Sequence, residues 1–154
     1  DESLGWTIVL MDRASRFLWE LGCGKKDRKL FRRALRILVS VIERTGDLTL
    51  LTDGERRYGD ILFEICSEQL RTGKRGRPRK TLRKGVKVRI KNKGSQNKKR
   101  GRKRPKYQAP QAEHPETKQN VNEASIHANH VEAFNATLRR RNSAFRRRSI
   151  LYAV

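Results

Sequence analysis

Acidic residues are missing from a long stretch of this chain. From Arg71 to Lys106 there are nineteen Lys or Arg and no Asp or Glu. Such a stretch cannot neutralise itself, and it predicts a polyanionic partner. Cysteine is scarce: Cys23 and Cys66 are the only two. With no Cys-x-x-Cys and no His at metal-ligand spacing, neither a disulfide framework nor a zinc site is expected, and both read as reduced core or near-core residues. No apolar run approaches about 18 residues, so no membrane span is expected. No signal peptide is visible. Hydrophobic residues make up only 35% of the chain, below the usual globular share.

What is present is positive charge, +22 over 154 residues. The length predicts one compact domain. The charge predicts a polyanionic partner, and DNA rather than a membrane is the expected one. The shortage of apolar residues is local: outside the basic stretch the chain reads as an ordinary folded domain. It opens on Asp1 and ends soon after an Arg-rich run, as expected of a piece of a longer protein.

Periodicity gives the elements. Gly5 to Met11 is apolar and β-branched, and reads as a buried strand. Asp12-Arg13-Ala14-Ser15 reads as a turn and Arg16 to Leu21 as the returning strand of a hairpin, ended by Gly22 and Gly24. Asp27 is placed to cap a helix from Arg28 to about Arg44, with Leu30, Phe31, Ala34, Leu35, Leu38, Val41 and Ile42 on one side and Gly46 closing it. Leu48 to Thr52 reads as a short strand. A second helix follows, with Tyr58, Ile61, Leu62, Ile65 and Leu70 on its apolar side. Inside the basic stretch, Val86, Val88 and Ile90 alternate with cations, which predicts a half-buried strand near a sheet edge. Tyr107 to Gln119 carries two prolines and reads as linker. A last helix is expected from about Asn122 to Arg147.

Three organisational parts result. Residues 1–72 form the first part of a folded core. Residues 73–120 form a basic insertion and linker with a short strand near 86–91. Residues 121–154 carry the C-terminal helix. Supplying one strand ahead of residue 5 gives a ribonuclease H-like order: a mixed α/β sheet with flanking helices and a basic insertion before the last helix.

Two acidic positions stand out. On the last helix Val131, Phe134 and Leu138 make an apolar stripe, and Glu132, Asn135 and Arg139 share the neighbouring one. Glu132 can simply pair with an arginine on a solvated face. It can also hold a divalent metal, with the arginines around it holding phosphates. Asp53 follows the apolar Leu48–Thr52 run and precedes Gly54. It reads either as an Asp-Gly turn or as a ligand presented at a strand's C-terminal end. Taken together in so basic a chain, the two point to two-metal phosphoryl chemistry. Ions roughly 3.5–4 Å apart activate the attacking oxygen and stabilise the leaving one, and carboxylates suit Mg²⁺ or Mn²⁺ as hard oxygen ligands.

These residues resemble a family. Thr52-Asp53-Gly54 and the Glu132-x-x-Asn135-x-x-Leu138-Arg139 phrase look like the second Asp and the Glu of DDE transposases from bacterial insertion sequences. Gly5 to Arg16 is similar to their second strand, turn and third strand. The likeness covers most of residues 1–72 and 121–150. It implies a catalytic triad of Asp1, Asp53 and Glu132 binding two Mg²⁺ or Mn²⁺ ions, with Asp12 as a competitor for the first position. It also implies DNA strand cleavage and strand transfer during transposition, with transposon ends and target DNA as partners. A homo-oligomer on DNA in the full-length protein and a cytoplasmic, nucleoid-associated location follow from the same likeness. The chain departs from many relatives in the 78 residues between Asp53 and Glu132, and in lacking the N-terminal DNA-binding module they usually carry.

Lys74-Arg75-Gly76-Arg77-Pro78-Arg79 contains an Arg-Gly-Arg-Pro core resembling an AT-hook, a slim strand suited to the narrow A·T minor groove. Arg100-Gly101-Arg102-Lys103-Arg104-Pro105 is a looser copy. The other reading is a polybasic run that meets phosphates without preference. Arg75, Arg77, Arg79, Arg100, Arg102, Arg104, Asn135, Arg139 and Arg140 are thus the candidate DNA contacts. The rival function is a non-catalytic basic nucleic-acid-binding protein of ribosomal or chromatin type, which needs no carboxylate.

Overall fold

A computed structural model of the chain describes residues 5–52, 55–90, 111–118, 121–122, 125–126, 129–142 and 145. In chain order, the described elements are β1 (Trp6–Met11), β2 (Leu18–Gly24), α1 (Arg28–Thr45), β3 (Leu48–Thr52), α2 (Arg56–Cys66), β4 (Ser67–Leu70), β5 (Arg79–Leu82), β6 (Val86–Ile90) and α3 (Asn129–Arg141). The protein is mixed α/β.

β1 and β2 form the expected antiparallel hairpin, with Trp6 opposite Gly24 and Ile8 opposite Gly22. The second strand starts two residues later than its pattern predicts and runs on through both glycines. Gly22 and Gly24 pair with Ile8 and Trp6 in the ladder, so they do not end the strand.

α1 follows its pattern closely. Asp27 accepts a hydrogen bond from the Leu30 amide at 2.8 Å, an N-cap. Gly46 takes a left-handed conformation at φ 66° and donates its amide to the Ile42 carbonyl. Leu30, Phe31, Ala34, Leu35, Leu38 and Ile42 are buried. They meet Ile8 and Leu10 of β1, Leu50 of β3, Ile61, Leu62 and Cys66 of α2, Leu82 of β5, and Val86 and Val88 of β6 in one core. Phe31 packs edge-to-face on Tyr58, which joins α1 to α2.

β3 pairs in parallel with β6, Leu48 beside Val86 through Thr52 beside Ile90. Its partner is therefore a later strand, and among the described residues no earlier strand pairs with it. β4 and β5 pair antiparallel, Leu70 beside Arg79. This hairpin crosses the expected boundary at residue 73, and Leu82, Val86 and Val88 beyond it are fully buried. The front half of the basic stretch is thus built into the core. Leu70 belongs to β4 and not to the second helix: the chain turns extended at Ser67, with φ −85° and ψ 151°.

The segment around 111–118 is fastened down rather than running free as a linker. The Leu82 amide donates to Ala112 and the Gly85 amide to the Thr117 hydroxyl. Arg89 pairs with Glu113 where both side chains are largely shielded from solvent, and Gln111 donates to Asp60 at 2.6 Å. The last helix begins at Asn129, later than expected. At its other end Asn142 still donates to Leu138, and Phe145 closes a turn on Asn142.

Candidate functional site

β3 delivers the chain to Thr52, and Glu55 caps α2 by accepting from the Arg57 amide. Asp53, between them, lies outside the described residues, as does Asp1. Thr52 itself is buried, and its hydroxyl has no hydrogen-bond partner among the described residues. Glu132 sits exposed in the first turn of α3, and Arg139, Arg140 and Arg141 occupy the last. That placement matches the helix dipole at both ends, which favours a carboxylate near the N-terminus and cations near the C-terminus. Val131, Phe134 and Leu138 are half-buried, as are Asn135 and Arg139, while Arg140 is exposed. α3 rests beside β1.

Among the described residues no group of three or more His, Cys, Asp or Glu comes together to hold a metal. The described donors alone do not make up a metal site, so a metal there rests on Asp1 and Asp53 joining Glu132. Most other acids are committed elsewhere. Glu64 pairs with Arg28 and Arg32, Glu55 with Lys26 and Arg57, Asp47 with Lys87, Glu113 with Arg89, and Glu116 with Lys84.

Asp12 is a turn residue. Its carboxylate accepts from the Ser15 amide at 2.7 Å and from the Ser15 hydroxyl, an arrangement that bends the chain locally. The Ser15 hydroxyl, and after it the Ser15 amide, hold the Asp12 carboxyl below its ordinary value. Ser15→Ala should raise it again, which an NMR titration of the Asp12 carboxyl would read. A folded-state value below the unfolded one stabilises at pH values above the unfolded value, and the contribution is lost as pH falls through the folded value. Because Asp12 is only slightly shielded, that contribution should be small.

The basic candidates divide. Arg100, Arg102 and Arg104 lie outside the described residues. Arg75 and Arg77 occupy the exposed connection between β4 and β5, and Arg79 begins β5, also exposed. Gly73 and Gly76 take positive φ in this connection, 72° and 128°. None of Arg71, Lys74, Arg75, Arg77 and Arg79 forms an ion pair with a described residue. The hairpin therefore presents a cluster of exposed cations.

Cys66 is buried, and burial pushes its thiol up, leaving it protonated and inert. Cys23 is exposed rather than near-core. Among the described residues no helix is long and apolar enough to cross a membrane. Sequence reasoning did not single out Phe17, just before β2, and Trp19, within it, which both stand exposed. Their signal was two aromatic residues spaced by two next to a turn rich in arginine.

No family model, no curated protein and no solved structure matches the chain.

Proposed function

We propose that this chain is part of the ribonuclease H-like catalytic core of a DDE transposase, cutting DNA strands and joining the new 3′-hydroxyl to target DNA. The observation that carries the reading is the element order: an antiparallel hairpin, a helix, then β3 lying parallel to β6, with Asp53 following directly on the end of β3. In open α/β sheets, ligands sit beyond the carboxyl ends of parallel strands. Asp1, Asp53 and Glu132 would hold two Mg²⁺ or Mn²⁺ ions, which supply an activated attacking oxygen and a stabilised leaving one. Asn135 and Arg139, half-buried on the Glu132 side of α3, would orient the carboxylate or a DNA phosphate.

The deciding experiment is strand joining. A labelled duplex with a free 3′-hydroxyl is incubated with plasmid and Mn²⁺. A transposase core gives covalent joint molecules, a hydrolytic nuclease gives nicks alone, and a basic binding protein gives only a mobility shift.

The β4–β5 connection supports DNA as partner, since exposed cations in a folded hairpin lower the cost of holding a polyanion. Changing Arg75 and Arg77 to Ala should weaken binding about equally on A·T-rich and G·C-rich duplexes. It should also flatten the log K against log salt slope by up to roughly 0.9 per lost contact. The bent connection favours this phosphate reading over a minor-groove strand. A larger loss on A·T-rich duplex would establish the AT-hook instead, because only that groove is narrow and lacks the guanine amino group.

A further inference from the structure

The β1–β2 hairpin carries an aromatic ridge that the core does not use. Phe17 is 60% exposed, Trp19 37% and Leu21 36%. The Phe17 and Trp19 rings meet edge-to-face with centroids 5.3 Å apart. Trp19 is presented by a bulge: Leu10 of β1 faces Glu20 and Met11 faces Leu18, so Trp19 has no partner across the ladder. A bulge re-aims the side chain at the extra residue. The contact between the rings fixes Trp19 against Phe17 and leaves ring surface turned to solvent.

The surroundings are cationic. Arg16 is exposed in the turn that leads into Phe17, and Arg13 beside it donates to the Ser125 carbonyl at 2.6 Å. Arg16 is the one non-glycine residue with positive φ among the described residues, at 64°. The acid of that turn, Asp12, is occupied by Ser15. At the far end of β2, Lys25 is exposed as well, while Lys26 pairs with Glu55 and lies over the Trp6 ring. A protein partner that buried this ridge would have to desolvate those cations beside it. A nucleic acid strand would use both features, with a base on the rings and a phosphate on Arg16.

We propose that Trp19, braced by Phe17, is a stacking platform for an unpaired base of a DNA strand, with Arg16 meeting the adjoining phosphate. The proposal rests on the DNA-handling reading above and deepens it: this chain would hold a strand opened or frayed near the duplex.

The test compares a short oligothymidylate with a long blunt-ended duplex. Trp6 and Trp19 are the chain's two tryptophans, so a Trp6→Phe background leaves Trp19 as the sole reporter. Its emission should be quenched by the oligothymidylate. Trp19→Ala should weaken oligothymidylate binding by about 5- to 150-fold, the range for one lost stacked base. Duplex affinity should be unchanged and Trp19→Phe should restore most of the loss. Absence of quenching, or equal loss on both substrates, overturns the platform. A change in self-association by sedimentation, with single-strand binding intact, overturns it in favour of a second copy of the chain as occupant. If Trp19→Ala does not fold, quenching in the Trp6→Phe background and the affinity of Trp19→Phe decide alone. Duplex binding without a Trp19 effect defeats the platform only, whereas failure to bind any DNA defeats the platform and the DNA-handling reading together.

Discussion

Gly85→Ala should destabilise the fold by about 3–5 kcal/mol, summing left-handed strain and overpacking, whereas Gly46→Ala should cost only about 1–2 kcal/mol. Both glycines have positive φ, 87° and 66°, so conformational preference alone predicts similar costs. The difference is space. An added Cβ at Gly46 meets nothing within 4 Å. At Gly85 it would overlap the Gly46 carbonyl oxygen and lie 3.2 Å from the carbonyl carbon. That neighbour is backbone, at the cap of α1, and it cannot rotate away. Gly85 also accepts from the Leu48 amide and donates to Thr117. Pushing it outward therefore strains the start of β3, the start of β6 and the 111–118 segment at once. Urea denaturation of the two variants reads the comparison, and equal costs would show that the junction relaxes freely.

Asp53→Asn should abolish Mn²⁺-dependent strand cleavage, by on the order of 10³-fold or more, and leave duplex binding in place. The substitution keeps size and removes charge. An amide is a poor bridge for divalent cations, and losing several kcal/mol of transition-state stabilisation corresponds to at least that factor in rate. Glu132→Gln should behave the same way, because both side chains are assigned to the same pair of ions. Duplex binding should survive in both, since the cations of the β4–β5 connection are untouched. Cleavage at the parental rate in either variant would remove that residue from the site. A parent chain that binds DNA without cutting or joining it would favour the basic binding protein.

Local pattern revealed those elements whose buried side is apolar. α1 was legible because its stripe, cap and terminal glycine all agree. β6 was legible from three β-branched residues alternating with cations. β4 was not, because Ser67-Glu68-Gln69-Leu70 has neither period nor β-branching. It is a strand because β5 lies opposite it, which is a tertiary cause that no window of sequence contains. β5 was masked by charge: Arg79 and Lys80 hide the buried Thr81 and Leu82. Of the candidate site, the sequence could name acids at a strand end and on a helix, but their mutual distance depends on how α3 sits against the sheet. Trp19 escaped notice because a bulge decides where it points, and a bulge arises from the register between two strands.

The pairing of Arg89 with Glu113 bears on how the chain can vary. The polypeptide leaves the core at β6 and rejoins it beside that same strand, so the core registers only that the two ends meet. The twenty residues between Ile90 and Gln111 hold nine of the 38 Lys and Arg. On the DNA-handling proposal, the charge carried by those residues would set part of the affinity for a polyanion, while Arg89 and Glu113 join the chain on either side of them.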